Sequence, residues 1–205
     1  MFSFNINRFI ATELTSGTLK DVVYGNYQGP AVGDMKKMLR QVLMGLAFLH
    51  EKNITHCDLK PANIFISSPS CSSDRPVMKL GNFGIHRNIK KGPLWKQAGS
   101  KCWMAPEVYQ ATEWITSMDL FSYGCVVAFS LSGGKHPFGS FCKEERIIRI
   151  RKKMAMTLTL EDLIQDLGEK YAALIFPLIS ALLSVKKLFL SFVLLKFFFV
   201  FVFVK

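Results

Sequence analysis

A carboxylate, a cation and an amide stand at fixed offsets between residues 56 and 63, which read H-C-D-L-K-P-A-N. Asp58 could accept a proton from a hydroxyl group, Lys60 could bind a phosphate oxygen, and Asn63 could offer an amide oxygen to a metal ion. This set of groups suits phosphoryl transfer, in which catalysis depends on positioning and on neutralising charge. The alternative interpretation is a polar loop between a helix and a strand.

A long helix and an apolar strand are predicted to flank this segment. Asp34 is placed to cap a helix that reaches about Lys52. Its apolar residues recur at spacings of three and four, which predicts one buried face, formed by Met38, Leu39, Val42, Leu43, Leu46 and Leu49. The I-F-I run after Asn63 is typical of a buried strand, and residues 77–80 are predicted as a second strand after a Ser- and Pro-rich turn.

Further helices are predicted on both sides of these elements. Residues 18–23 favour a short helix, and the nearly all-apolar residues 118–132 favour a buried helix that Gly133 and Gly134 end. Residues 135–153 favour a helix with a basic face, and residues 160–183 two more helices around a glycine.

Composition indicates one globular domain. The chain has 205 residues, of which 50% are hydrophobic and 20% charged, so it can form a core and is not disordered. Its formal net charge of +11 could favour binding to nucleic acid, an anionic membrane or acidic substrates. Because no basic run is interleaved with aromatic residues, we expect no nucleic-acid partner and attribute the charge mainly to solubility.

Cysteine usage favours a reducing compartment. The five cysteines are scattered and odd in number, without a C-x-x-C pair, so neither a disulfide framework nor a zinc site is expected. The N-terminus lacks the pattern of a signal peptide. We therefore predict a cytoplasmic location.

The segment at 56–63 resembles the catalytic loop of protein kinases, H-R-D-L-x-x-x-N, with Cys57 at the arginine position. Further motifs follow in the family's order: G-N-F-G from Gly81, G-S-K-C-W-M-A-P-E from Gly99, D-L-F-S-Y-G from Asp119 and H-P-F-G from His136. Their combination is most similar to the stress-sensing kinase/endoribonuclease family of the unfolded-protein response. The resemblance implies a mainly helical C-terminal lobe with a few short strands, which phosphorylates serine or threonine in a protein substrate.

The resemblance also implies ATP and magnesium as cofactors. Asp58 would be the catalytic base, Lys60 would contact the γ-phosphate, and Asn63 and Asn82 would be the metal ligands. Asn82 stands where the family has aspartate, so the site keeps an oxygen ligand but loses a negative charge that magnesium favours. Cys57 replaces the arginine that binds an activating phosphate. We therefore expect impaired transfer, and the alternatives are an inactive pseudokinase-type binding module or an incomplete gene product.

The segment before the short helix would contact adenine. Residues 8–14 are predicted as a strand that runs into the hinge between kinase lobes. Thr12 then falls at the gatekeeper position, Glu13 to Thr15 would meet adenine through the backbone, and Phe65 would form the floor of the pocket. Because few residues precede this strand, the resemblance predicts a partial kinase domain over residues 1–185, with the N-terminal lobe missing.

The resemblance assigns Asp119 a supporting role. Its carboxylate would accept hydrogen bonds from the backbone of the catalytic loop. The other interpretation is an ordinary helix N-cap, and the two are compatible.

Residues 186–205 form an apolar tail outside the family pattern. Residues 188–204 are nearly all apolar, with Lys196 inside, and are at the short limit for a membrane span. Three interpretations stay open: an incomplete gene model, which we favour, a membrane anchor, and an aggregation-prone strand. The partners expected are a protein substrate or a kinase-like protein, with membrane contact through residues 188–205 as a further possibility.

Overall fold

The computed structural model describes residues 11–68, 75–91, 99–109, 116–139, 142–154, 156–159, 161–163 and 168–183. The α-helices whose bounds lie within these ranges are α1 (Leu19–Val23), α2 (Met35–Glu51), α3 (Pro106–Tyr109), α4 (Ser117–Leu131), α5 (Lys143–Arg151) and α6 (Glu169–Leu183). The strands are β1 (Thr15–Thr18), β2 (Ile54–Thr55), β3 (Ile64–Ser67), β4 (Met78–Leu80) and β5 (Arg87–Asn88). The mainly helical fold with a few short strands is as predicted.

Side-chain caps start the first two helices, and the cap of α2 is the one that the sequence predicted. Thr18 and Asp21 form a reciprocal capping box on α1, in which the Asp21 carboxylate accepts a hydrogen bond from the Thr18 backbone at 2.8 Å. The Asp34 carboxylate accepts a hydrogen bond from the backbone nitrogen of Lys36 at 2.9 Å and so caps α2. The predicted face of α2 is buried at five positions: Met38, Leu39, Val42, Leu43 and Leu46.

Two small antiparallel sheets hold the ends of the catalytic loop. In the first sheet, β3 lies between β1 and β4, with Ile64 opposite Leu80 and Thr18 opposite Phe65. In the second sheet, β2 pairs with β5, so the segment before the loop is joined to the segment after G-N-F-G. The loop between β2 and β3 is therefore anchored by sheet hydrogen bonds on both sides.

The strand predicted at residues 8–14 is wrong for the part that the structure describes. Residues 11–14 have no regular structure, residues 8–10 lie outside the described residues, and the strand is Thr15–Thr18. The physical reason is the length of its partner, because β3 ends at Ser67, opposite Thr15. A strand needs a neighbour to satisfy its backbone hydrogen bonds, so β1 begins where β3 ends.

Helix α4 is the buried helix that the sequence predicted. Every residue from Met118 to Leu131 is buried. The Tyr123 hydroxyl donates a hydrogen bond to the backbone oxygen of Leu39 on α2 at 3.1 Å. At Gly124, an added Cβ would lie 2.8 Å from Cβ of Leu182, so α4 and α6 approach closely there. This packing fixes α4 beneath the catalytic loop.

The remaining predictions concern the C-terminal part of the chain. Helix α5 confirms a helix within residues 135–153, and α6 is the second helix predicted within residues 160–183. The apolar tail, residues 186–205, lies outside the described residues, as do the interpretations attached to it. None of the helices in the described part of the chain combines the length and apolar character needed to cross a membrane.

Candidate active site

Asp58 is held in one orientation by three donors. Its Oδ1 accepts a hydrogen bond from the backbone nitrogen of Ser100 at 2.8 Å, and its Oδ2 accepts one from Nδ2 of Asn63 at 2.8 Å. Nζ of Lys60 lies 3.3 Å from Oδ2. The residue is 9% exposed, so the carboxylate is largely protected from water. A fixed carboxylate at the edge of the fold can receive a proton from a hydroxyl group placed beside it.

Lys60 connects the loop to the segment that precedes A-P-E. Its Nζ donates a hydrogen bond to Oγ of Ser100 at 2.5 Å while also contacting Asp58. Ser100 thus contacts both charged residues of the loop, one through its hydroxyl and one through its backbone nitrogen. The cation is placed to attract phosphate oxygens close to the carboxylate.

Asn63 and Asn82, the two predicted metal ligands, contact each other. Nδ2 of Asn82 donates a hydrogen bond to Oδ1 of Asn63 at 3.2 Å. Nδ2 of Asn63 donates to both the backbone oxygen and Oδ2 of Asp58, so its Oδ1 is the oxygen turned toward Asn82. Asn82 has φ +63° and ψ +59°, a left-handed conformation that asparagine tolerates better than most residues. The oxygen that a metal would use therefore accepts an amide hydrogen instead.

This donor set fits magnesium poorly. Of the four residues Asp58, Lys60, Asn63 and Asn82, only Asp58 carries a carboxylate, and both of its oxygens already accept hydrogen bonds. The two other oxygen donors are neutral amides. Magnesium favours carboxylate and phosphate oxygens in octahedral geometry, and these residues supply little of that charge.

Asp119 supports the loop as the resemblance implied. Its Oδ2 accepts a hydrogen bond from the backbone nitrogen of His56 at 2.8 Å, and its Oδ1 accepts one from that of Cys57 at 3.0 Å. The N-cap interpretation is wrong, because the N-cap of α4 is Thr116 and Asp119 lies within the first turn. The carboxylate instead satisfies two backbone donors that burial would otherwise leave unpaired.

His50 is a third contact of Asp119 that the sequence analysis missed. Nε2 of His50, near the end of α2, lies 2.9 Å from Oδ2 of Asp119. The carboxylate accepts, so His50 donates through Nε2. The available signal was helical spacing, because His50 follows Leu46 of the buried face by four residues.

His56 braces the loop against the strand that leads to Asn82. Its Nε2 donates a hydrogen bond to the backbone oxygen of Gly81 at 2.9 Å, and its Nδ1 accepts one from the backbone nitrogen of Asp58 at 3.3 Å. The two contacts together fit the tautomer that carries its proton on Nε2. The ring of Phe83 lies 5.0 Å from the His56 ring, centroid to centroid, so the G-N-F-G segment packs on the loop.

Cys57 is a protonated, buried thiol. Burial, and next the nearby Asp119 carboxylate, raise the pKa of Cys57 to about 12. Its backbone has φ +70°, and an added Cβ on Gly99 would lie 2.6 Å from its carbonyl oxygen. Gly99 is therefore needed for the close approach of the two segments. A neutral thiol at this position cannot bind a phosphate group as arginine does.

The predicted adenine-contacting residues share one cavity of about 510 Å³. Thr12, Glu13, Thr15 and Phe65 line it, together with Asn82. The ring of Phe65 lies against Gly81, where a Cβ would come within 2.6 Å of the ring, so the floor is apolar and closely packed. A flat apolar floor of this kind suits an aromatic base.

Glu13 and Lys60 are the charged residues among the predicted cofactor contacts, and only Glu13 lines this cavity. The Glu13 side chain is about half exposed and forms an ion pair at 2.5 Å with Lys79, which lines the same cavity. Lys60 lines a different cavity, beside α1 and α5. The structure thus brings Asp58, Lys60, Asn63 and Asn82 together as one cluster, and Thr12, Glu13, Thr15 and Phe65 as a neighbouring one that Asn82 joins.

Comparisons with known proteins give the same family as the motifs. A family model described as "Protein kinase domain" matches residues 1–187. The serine/threonine-protein kinase STE11 of Saccharomyces cerevisiae is 36% identical over 151 residues, 71% of this chain and 20% of that protein.

Two kinase/endoribonucleases are also similar. IRE1a of Arabidopsis thaliana is 34% identical over 63% of this chain and 16% of that protein, and IRE2 of Homo sapiens is 35% identical over 64% and 15%. The chain thus spans a fifth or less of the length of these relatives. The family model and the ordered motifs show that this chain belongs to the protein kinase domain family, with serine/threonine kinases among its relatives.

Proposed function

We propose that this chain is a serine/threonine protein kinase lobe with strongly impaired transfer. ATP would supply the γ-phosphoryl group, and the acceptor would be a hydroxyl group of a protein substrate. Asp58 would receive the hydroxyl proton, because its carboxylate is fixed by Ser100 and Asn63. Lys60 would attract the phosphate, since its Nζ lies 3.3 Å from that carboxylate.

The impairment rests on the contact between Asn82 and Asn63. At 3.2 Å, the Asn82 amide donates to the Asn63 oxygen that would otherwise face a metal. Replacing an aspartate with asparagine removes one negative charge and adds a donor that competes with the cation. Phosphoryl transfer depends on metal ions that neutralise charge between the phosphates, so weak metal binding lowers transfer directly.

A second candidate is a binding module without catalysis. The same amide contact and the uncharged Cys57 favour it, because both remove charge from positions where a kinase uses it. The cavity above Phe65 would still accept a nucleotide base without magnesium. The two candidates differ in whether any transfer depends on Asp58.

The decisive experiment measures transfer from radiolabelled ATP to generic protein substrates. We compare the unchanged chain, Asp58→Ala, Asn82→Asp and a double variant with both changes. Aspartate tolerates the left-handed backbone of Asn82 nearly as well, so Asn82→Asp tests the charge rather than the fold. We expect near-background transfer in the unchanged chain and magnesium-dependent transfer in Asn82→Asp that the double variant lacks.

Nucleotide binding is measured separately as the shift in melting temperature with ATP, with and without magnesium. We expect a shift in the unchanged chain that magnesium does not increase, and one in Asn82→Asp that it does. Transfer by the unchanged chain that is well above background, and that Asp58→Ala abolishes, would contradict the proposed impairment. Nucleotide binding with no transfer in any variant would favour the binding module.

A further inference from the structure

A second cavity, of about 330 Å³, opens beside the catalytic loop. Lys60 forms part of its wall, with Ala62 as a small neighbour on the same loop. Two more cationic side chains reach it from distant parts of the chain, Lys20 on α1 and Arg146 on α5. None of the described residues that line this cavity is acidic. Three cations around one concave space form a site of a single sign of charge.

Two of the three cations have no ion pair with a described carboxylate. Nε of Arg146 donates a hydrogen bond to the backbone oxygen of Gly139 at 2.9 Å, which holds the guanidinium at the cavity. Lys20 is exposed, and no described carboxylate forms an ion pair with it or with Arg146. Only Lys60 has a described carboxylate contact, at 3.3 Å from Asp58. The cavity therefore has positive charge that no described side chain offsets.

Aromatic side chains make the wall of the cavity rigid. The rings of Tyr24 and Phe129 meet edge to face at 5.5 Å, and those of Trp103 and His136 at 4.9 Å. Gly134 has φ +94°, and a Cβ there would lie 2.8 Å from the Tyr24 ring, so this contact requires glycine. A site with such a wall does not need to be ordered when a ligand binds.

His136 contributes shape rather than charge. Its Nε2 donates a hydrogen bond to the backbone oxygen of Cys102 at 3.0 Å. Its Nδ1 accepts a hydrogen bond from the backbone nitrogen of Phe138 at 3.2 Å. Burial and the nearby Arg146 lower the pKa of His136 to about 3. The positive charge of the cavity therefore comes from the lysines and the arginine.

We propose that this cavity binds an aspartate or glutamate side chain of the protein substrate, a few residues from the hydroxyl group that is phosphorylated. This rests on the proposed function, because Lys60 borders both the cavity and the Asp58 carboxylate. An extended peptide advances roughly 3.3 Å per residue, so a short segment can reach both places. The structure thereby assigns acidic protein segments as the preferred substrate class.

The test uses two fluorescently labelled synthetic peptides without ATP. One has a serine flanked by glutamates, and the other has glutamine at each of those positions. Binding to the whole chain is measured by fluorescence anisotropy over a range of salt concentrations. We expect the acidic peptide to bind at least about tenfold more tightly, since charge-assisted contacts are involved, and salt to reduce the difference.

Matched variants locate the site. Lys20→Glu should remove most of the preference for the acidic peptide, and Arg146→Gln should reduce it independently. Lys37→Glu, a charge reversal at another exposed helical lysine that does not line the cavity, should leave the preference intact. The melting temperature of each variant shows whether it folds. If one of the two cavity variants does not fold, the other is enough to test the site.

Several outcomes would overturn the proposal. The first is equal binding of the two peptides, and the second is a loss of preference in Lys37→Glu as large as that in Lys20→Glu. The third is binding of an oligonucleotide with the same charge as tightly as the acidic peptide, which would indicate an unselective basic surface. The proposed function is tested separately. A preference for the acidic peptide without any phosphate transfer would contradict the proposed function but support this site, whereas transfer without the preference would contradict only this site.

Discussion

Oδ2 of Asp119 lies 2.8 Å from the backbone nitrogen of His56, so a buried helix holds the catalytic loop directly. The same carboxylate also contacts Cys57 and His50. One side chain, 1% exposed, thus joins α4, α2 and the loop. The loop owes its shape to a residue far from it in sequence.

Removing this carboxylate should loosen the loop. Asp119→Ala leaves the backbone donors of His56 and Cys57 buried without an acceptor, which should lower the free energy of unfolding by about 1–3 kcal/mol. Denaturant titration measures the loss, and hydrogen exchange should become faster at residues 56–58. Glu51→Ala, at an exposed acid on α2, is the control and should change neither. Unchanged exchange at the loop in Asp119→Ala would show that other contacts hold it.

Two helical glycines should respond oppositely to alanine. At Gly124 a Cβ would lie 2.8 Å from Cβ of Leu182, so Gly124→Ala should destabilise by about 1–3 kcal/mol through overpacking. At Gly45 the nearest atom is 3.2 Å away, on the flexible end of the Leu80 side chain. Gly45→Ala should therefore be neutral or stabilising by up to about 1 kcal/mol, from helix propensity. Thermal unfolding measures both, and a stabilising Gly124→Ala would contradict the close packing of α4 on α6.

Acid should destabilise the fold partly through His136. Its pKa is lowered from 6.5 to about 3 in the folded chain by burial and by Arg146. As the pH falls from about 6.5, the unfolded state binds a proton that the folded state excludes, so stability is lost by up to about 1.4 kcal/mol per pH unit down to about pH 3.

His136→Gln isolates this contribution. Glutamine keeps a donor for Cys102 but lacks the imidazole ring, so the variant should be less stable than the unchanged chain at pH 8. Because glutamine has no proton to gain in this range, the variant should lose less stability on acidification. Denaturant titrations at several pH values give the two slopes. Parallel slopes for the two proteins would show that His136 does not set the acid sensitivity.

Alkylation should distinguish the thiols. Iodoacetamide reacts with thiolates, and burial and the Asp119 carboxylate raise the pKa of Cys57 to about 12. Burial also raises the pKa of Cys125, whereas Cys142 is exposed. Mass spectrometry of the native chain should find Cys142 modified well before Cys57 and Cys125, and all three modified after denaturation. Labelling of Cys57 as fast as that of Cys142 would contradict the burial of the Cys57 thiol within the catalytic loop.

The sequence alone was sufficient for the family, the main helices and the residues of the catalytic loop. The buried face of α2 follows from spacings of three and four residues, its start from the Asp34 cap, and the burial of α4 from its nearly all-apolar sequence; all three are local properties. The substitutions Cys57 and Asn82 were also visible, because the motifs around them fix their positions.

Only the tertiary structure decided how distant groups meet. The place of β1 depends on where its partner β3 ends, so local propensity put that strand too early. The contact of Asn82 with Asn63, the approach of His50 to Asp119, and the meeting of Lys20 with Arg146 around one cavity each join residues from separate elements. No spacing along the chain specifies such distances, since they arise when the helices and sheets pack on a common core.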